Sequence, residues 1–578
     1  MGTFSERLRA GTPSFATFAS SAVKVVAVAV AVAVASPAAA QSRAAYSHAD
    51  SLRGSNGPWR SWWDVSFYDL HVKVNPVDST IAGWNGISYR VTQSGSDAVA
   101  AAKAPALLMQ IDLQLPMVVD SIIQGGRALK WTRDSNAVFV TMPAAPRVGE
   151  QGTVAVYYHG KPAAAKRPPW DGGYIWRRDT LGNRWVATAN EGLGASVWWP
   201  NKDYLADEPD SQRVAITVPD PMVDVSNGRL RSTTKNADGT TTFEWFVAEP
   251  INNYDVSVNA GTYAQWTEIY AGEAGALSMD FWPLAVHLDA AKRQWPQARS
   301  MMACFEHWFG PYPWYKDGYK LVEAPHLGME HQSAVAYGNG FQNGYLGRDL
   351  SKTGHGMQWD FIIVHESAHE WWGNNITVKD GADMWVHEGF ANYSENLYTE
   401  CQTGDKKAGA EYVIGTRVLV RNDGPVIGTY GVNDEGSGDR YYKGGNMLHT
   451  IRQIVNDDER WRMVLRGLNS AFRHQTVTTA QIETYISEQT GVSLGKVFDQ
   501  YLRSTKIPSL ELSLTGGSLS YRWANVVPGF DMPVRVTLPG KGTVLLHPTA
   551  TVKTEATTAS VLDQVVVDEN FYITVKKG

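Results

Sequence analysis

From Asp64 to about Tyr263 the apolar positions recur at every second residue. Leu70, Val72 and Val74 alternate with His71 and Lys73; Val154, Val156 and Tyr158 follow the same pattern, as do Val214, Ile216 and Val218. Period two sends successive side chains to opposite faces, the mark of half-buried strands. Asn75-Pro76, Asn183 and Asp238-Gly239 read as turns between the runs, so this segment predicts an antiparallel β domain. After Asp280 the period lengthens. Ala298, Met301, Met302, Phe305 and Trp308 share one helical face, and Phe309-Gly310-Pro311 ends it. Further helices are predicted over about 357–372, 388–401, 445–454 and 479–503. From Pro508 the alternation returns in Leu510, Leu512 and Leu514, in Leu519, Tyr521 and Trp523, and in Val534, Val536 and Leu538. The expectation is a multi-domain α+β chain: an N-terminal β domain over 41–265, a mainly helical domain over 266–505 and a small β-sandwich over 506–578.

The first 40 residues read as an export signal rather than structure. Arg7, Arg9 and Lys24 precede an uninterrupted Val/Ala run from Val25 to Ala35, followed by Ser36-Pro37 and Ala38-Ala39-Ala40. That is a basic region, an apolar stretch and an A-x-A cleavage signal, predicting a mature start at Gln41. Eleven apolar residues are too few to cross roughly 30 Å of hydrocarbon. The expected protein is exported, periplasmic or extracellular, with no stable membrane insertion after cleavage.

Composition narrows the class. Hydrophobic residues make up 43% of the 578 positions and charged residues 19%, which suits a folded globular chain. The net charge of −6 argues against nucleic acid as a partner, because phosphate binding needs a concentrated basic surface. The two cysteines, Cys304 and Cys401, exclude a thiolate metal cluster, and whether they pair is left open.

The chemistry concentrates in Val364-His365-Glu366-Ser367-Ala368-His369, an H-E-x-x-H pattern. At helical spacing the two imidazoles stand on one face about 6 Å apart at Cβ and can grip one metal ion. Glu366 is placed to reach a water at that ion as general base. After His369 and 18 intervening residues comes Glu388, opening the next helix, so an antiparallel return can bring its carboxylate to the same ion. Two histidines and a glutamate with an open fourth position form the ligand set of a catalytic zinc site. Asn392 and Glu395 share the Glu388 face and are candidates to orient a ligand imidazole.

These residues resemble the gluzincin metallopeptidases of the aminopeptidase N and leukotriene hydrolase family. Phe309-Gly310-Pro311-Tyr312-Pro313 is similar to the family's segment before its substrate strand. Gly328-Met329-Glu330 resembles the end of its G-x-M-E-N motif, with Leu327 and His331 departing from the first and last positions. Arg440-Tyr441-Tyr442-Lys443-Gly444 resembles its Y-x-K-G segment, and Glu191 stands nine residues before Pro200, as the family's acidic residue precedes an aromatic-proline pair. The resemblance implies a saddle-shaped β domain, a thermolysin-like catalytic domain and a β-sandwich, with no room before Gly578 for the large helical domain of some members.

The activity implied is that of a zinc aminopeptidase with one Zn²⁺ per chain, held by His365, His369 and Glu388. Glu366 acts as base, and Tyr441 donates to the oxyanion. Gly328, Met329, Glu330 and Glu191 bind a peptide with a free N-terminus. Two alternatives stay open: an endopeptidase or epoxide-opening hydrolase on the same scaffold, and an inactive binding protein.

Overall fold

Strands Trp63–Asn75 and Thr80–Val91 pair along their full length at the centre of an eight-stranded sheet, with Leu70 opposite Asn85 and Val72 opposite Gly83. The computed structural model describes residues 46–578; the export signal predicted over 1–40 lies outside the described residues. On its other side Trp63–Asn75 meets Ser211–Pro219 in parallel, with Leu70 beside Val214. The expected all-antiparallel pattern therefore has an exception. These two strands are joined by a long excursion, not a hairpin, and only such a crossover permits parallel pairing. The alternating residues form one core, with Val72, Val156, Val214, Ile216 and Trp245 at most 2% exposed. A four-stranded sheet that includes Gly173–Arg178 and Arg184–Ala189 ends just before Glu191 and presents it.

The region read as mainly helical also holds a five-stranded sheet, ordered Trp266–Gly272, Gly275–Trp282, Tyr319–Glu323, Val335–Tyr337 and Gly328–Met329. Three of its strands have two, three and five residues, too short to show a period. Gly328–Met329 is the edge strand, antiparallel to Val335–Tyr337. Four helices position the chemistry: α1 (Gln297–Phe309), α2 (Phe361–Ala368), α3 (Trp385–Thr403) and α4 (Tyr442–Val455). Gly310, at φ 94°, ends α1 where the sequence signals a stop.

Helix α2 is shorter than the predicted 357–372. Asp360 caps its start, the side chain accepting from the Ile362 and Ile363 N–H groups. The chain leaves helical geometry at Trp372 (φ −119°, ψ 81°) and Gly373 (φ 138°). The predicted 479–503 helix is two helices, Thr479–Thr490 and Gly495–Leu502, because Gly491 at φ 65° caps the first. Helices Lys406–Gly415 and Asp458–Ala471 were not singled out by the pattern.

Cys304 on α1 and Cys401 on α3 are joined by a disulfide, which closes the question left open by the sequence. Beyond residue 508 lie a four-stranded and a three-stranded sheet whose Leu510, Trp523, Val534 and Val536 join the same core as the helices. Among the described residues no helix is long and apolar enough to cross a membrane.

Candidate active site

The H-E-x-x-H residues sit at the C-terminal end of α2 with their rings fixed from behind. His365 Nδ1 lies 2.9 Å from Glu395 Oε1, and His369 Nδ1 lies 2.9 Å from the Trp372 carbonyl oxygen. Each Nδ1–H donates to its oxygen, which leaves the Nε2 lone pairs pointing forward. The Trp372 carbonyl can accept only because the chain has turned out of the helix. Gly373 allows that turn: a Cβ there would stand 3.3 Å from His369 Nδ1 in a backbone conformation side chains avoid.

Helix α3 supplies the third group. Glu388 Oε2 lies 3.6 Å from His365 Nε2 and 3.5 Å from His369 Nε2, is buried, and has no hydrogen-bond partner. Zinc ligands at 2.0–2.1 Å in tetrahedral array stand about 3.4 Å from one another, so these three atoms fit a zinc ion. A Glu366 oxygen also lies within 4.8 Å of the histidine nitrogens. Glu388 is the better third ligand, because its unpartnered oxygen is almost equidistant from both imidazoles.

Glu366 is 8% exposed. Burial raises its carboxyl to about 7, with His365 opposing and Glu330 adding. That value suits a group that must take and return a proton near neutral pH. Gly328 runs directly against it: a Cβ at 328 would stand 2.5 Å from Glu366 Oε1, so the edge strand passes the base only as glycine.

Tyr441 reaches the cluster through a close helix crossing. A Cβ on Gly444 of α4 would stand 2.9 Å from the Gly389 Cα of α3, and one on Gly389 would stand 3.2 Å from the Arg440 carbonyl oxygen. At the start of α4, Tyr441 then donates its hydroxyl to Glu388 Oε1 at 2.7 Å. Burial pushes this phenol well above the usual tyrosine range and the Glu388 charge adds to it, so it stays a donor. Behind the ligands, Glu395 Oε2 accepts from Tyr412 at 2.8 Å, and Asn392 Nδ2 donates to Glu395 Oε1 at 3.1 Å. Glu395 touches an imidazole, and Asn392 acts only on Glu395.

The nine residues expected to bind metal or substrate or to act in catalysis line one cavity of about 520 Å³: Glu191, Gly328, Met329, Glu330, His365, Glu366, His369, Glu388 and Tyr441. Glu330 Oε1 accepts from the Tyr254 hydroxyl at 3.2 Å, while Glu191 Oε1 is buried without a partner. Burial raises both carboxyls; Glu330 raises Glu191 further, and Glu388 adds to both. Leu327 lines the same cavity. His331 is wholly buried with neither ring nitrogen partnered, and burial lowers it to about 3, so it stands neutral.

Sequence reasoning missed Tyr412, Tyr254 and the Trp372 carbonyl. The first two come from distant elements and carry no local signal. Gly373, directly after a tryptophan pair, was a legible sign that α2 stops early.

Residues 296–501 match the model of the peptidase family M1 domain. Among curated proteins the chain is similar to probable aminopeptidase 1 of Saccharolobus solfataricus, 22% identical over 39% of this chain and 30% of that protein. It is also similar to aminopeptidase N of Lactobacillus helveticus, 26% identical over 34% of this chain and 25% of that protein. The third, aminopeptidase B of Rattus norvegicus, is 24% identical over 45% of this chain and 39% of that protein. In each case the chain spans well under half of the relative's length. Its fold resembles the M1 zinc metallopeptidase of Deinococcus radiodurans, with a TM-score of 0.65 at 22% identity, over 79% of this chain and 96% of that one. A variant of that enzyme bound to a Tyr-Ser-Ala substrate gives a TM-score of 0.62 at 22% identity, over 75% of this chain and 92% of that one. The peptidase M1 match over residues 296–501 and the likeness in fold to an M1 zinc metallopeptidase thus fall on the part of the chain that carries His365, His369 and Glu388.

Proposed function

We propose that this chain is an exported zinc aminopeptidase that releases N-terminal residues from peptides. The observation that carries the reading is the pair of acidic groups facing the histidine–glutamate cluster across one cavity. Glu191 and Glu330 are both raised by burial, repel one another, and leave the buried Glu191 Oε1 unpartnered. Two such carboxylates are costly until a cation stands between them, and a substrate ammonium group supplies both charge and donors.

His365 Nε2, His369 Nε2 and Glu388 Oε2 would hold one Zn²⁺ per chain. When bound, the ion supplies Lewis-acid polarisation of the scissile carbonyl and of water. Glu366 accepts a proton from the attacking water and returns it to the leaving amine, which its carboxyl near 7 permits in both directions. Tyr441 keeps its proton and donates it as a hydrogen bond to the developing oxyanion. Glu330 and Glu191 hold the substrate α-ammonium, which fixes cleavage after the first residue. The edge strand Gly328–Met329 offers its backbone beside Glu366.

The division into a saddle over 41–265, a thermolysin-like domain over 266–505 and a β-sandwich over 506–578 belongs to the same reading. Export is supported by the signal pattern at the N-terminus and by the Cys304–Cys401 disulfide, a bond favoured in oxidising compartments. The test is a time-resolved mass spectrum of one unstructured peptide incubated with the enzyme. Stepwise loss of N-terminal residues is expected; internal cuts would replace this reading with the endopeptidase alternative.

A further inference from the structure

A piece of chain that precedes the first strand grips the loop that carries Glu191. Helix His48–Gly54 bears Arg53, whose Nη1 donates to the Gly192 carbonyl at 2.8 Å and whose Nη2 donates to the Glu191 carbonyl at 3.5 Å. Its Nε lies 3.8 Å from Asp203 Oδ2. Gly194, at φ 90°, leaves the space for this pair: a Cβ there would stand 2.2 Å from Asp203 Oδ2 and 2.9 Å from Arg53 Cζ. Arg53 is anchored in turn by the buried Arg60, which donates to the Arg53 carbonyl at 2.7 Å and to the Ser55 carbonyl at 3.0 Å, and pairs with Asp112.

The other flank of the same segment rests on the loop before α4. A Cβ on Gly54 would meet the Val432 carbonyl carbon at 2.2 Å, so the two backbones lie against each other. The Tyr46 hydroxyl donates to Asp434 Oδ2 at 2.5 Å and lies 3.0 Å from Thr429 Oγ1. This loop continues to Glu435 and Arg440, which line the cavity and pair at 2.9 Å. Residues 46–60 thus contact both loops that close the substrate end of the site.

We infer that Arg53 is a positioning residue for the substrate amine: by holding the Glu191 and Gly192 carbonyls it fixes where the Glu191 carboxylate stands. The inference rests on the aminopeptidase reading above. Glu191 Oε1 has no hydrogen-bond partner, so the side chain takes its place from its backbone. Arg53 donates to the Gly192 and Glu191 carbonyls and not to the Glu191 carboxylate, so it acts through the backbone. A planar guanidinium spans two neighbouring carbonyls, and a lysine ammonium is a single point donor. A carboxylate already in place when substrate arrives spares the cost of ordering it at binding.

Arg53→Gln should raise KM for an aminoacyl amide with a free amine by about 10-fold while kcat stays within about two-fold, the size expected for losing one pre-ordered contact. Zinc content should not change, and amide hydrogen exchange over residues 191–194 should accelerate. Arg53→Lys should fall between wild type and Arg53→Gln. In the double variant with Glu191→Gln, Arg53→Gln should add little to the KM of Glu191→Gln alone. A wild-type KM in Arg53→Gln, or effects that add in full, would overturn the inference. The acetylated form of the same amide separates the two levels. A wild-type enzyme indifferent to acetylation overturns the aminopeptidase reading and this inference with it. A wild-type preference for the free amine that survives intact in Arg53→Gln overturns this inference alone.

Discussion

The two sides of the cavity use the same residue type under opposite conditions. On the helical side two glutamates are held by hydrogen bonds: Glu395 accepts from His365, Tyr412 and Asn392, and Glu388 Oε1 accepts from Tyr441. Of these four carboxylate oxygens only Glu388 Oε2, which faces the two imidazoles, has no hydrogen-bond partner. On the opposite side Glu330 has one tyrosine hydroxyl at 3.2 Å, and Glu191 Oε1 has none. The helical side is complete but for an ion, and its geometry is set by helix packing before anything binds. On the strand-and-loop side Arg440 offsets Glu191 only in part, and the two carboxylates stay raised by burial and mutual repulsion until a further cation arrives. Metal affinity should therefore respond to changes on α2, α3 and their partners, and substrate selectivity to changes at Glu191, Glu330 and Arg53.

The sharpest break in this comparison comes from Glu388 and Glu366. Glu388→Ala should lose zinc and activity together, whereas Glu366→Gln should keep zinc and lose turnover by about 100- to 10,000-fold. Zinc near one per chain in Glu388→Ala, read by metal analysis, would move the third ligand elsewhere. Next in size is Tyr441→Phe, which removes one donor and keeps the ring. Turnover should fall about 100- to 1000-fold with zinc retained. If Tyr442→Phe collapses turnover while Tyr441→Phe does not, the neighbouring phenol does the work.

Glu395→Gln tests the support behind His365. Zinc affinity, measured by chelator competition, should fall about 10- to 100-fold while the preference for a free substrate amine stays as in wild type. A change in amine preference without a change in zinc affinity would blur the division between the two sides. The smallest effect on catalysis should follow Cys401→Ser. Opening the disulfide between α1 and α3 should cost about 2–4 kcal/mol of stability in denaturant unfolding, with KM within two-fold of wild type. An unchanged unfolding midpoint would show that helix packing alone holds α3.

The helical side was readable in the sequence because its residues lie close together and obey one period. His365, Glu366 and His369 fall within a single turn-and-a-bit, and Glu388 opens the next helix, so spacing alone brings them together. The limits of α2 were not readable from periodicity, because Asp360 and Gly373 set them through a side-chain cap and a backbone turn. The opposite side was named by resemblance alone. Glu191 and Glu330 meet across a cavity only after two sheets far apart in sequence are built, and Arg53 reaches Glu191 across 138 positions. The parallel pairing of Trp63–Asn75 with Ser211–Pro219 was hidden for the same reason, since alternation reports faces and not partners.

The central claim is that the uncompensated side of the cavity waits for a protonated amine. The direct measurement is kcat/KM for one peptide amide with a free and with an acetylated N-terminus, in wild type and in Glu330→Ala. Leaving two desolvated carboxylates without their cation costs on the order of 2–5 kcal/mol, so wild type should prefer the free amine by about 30- to several-thousand-fold. Glu330→Ala should lose most of that preference by losing activity on the free peptide. A wild-type ratio near one would contradict the account.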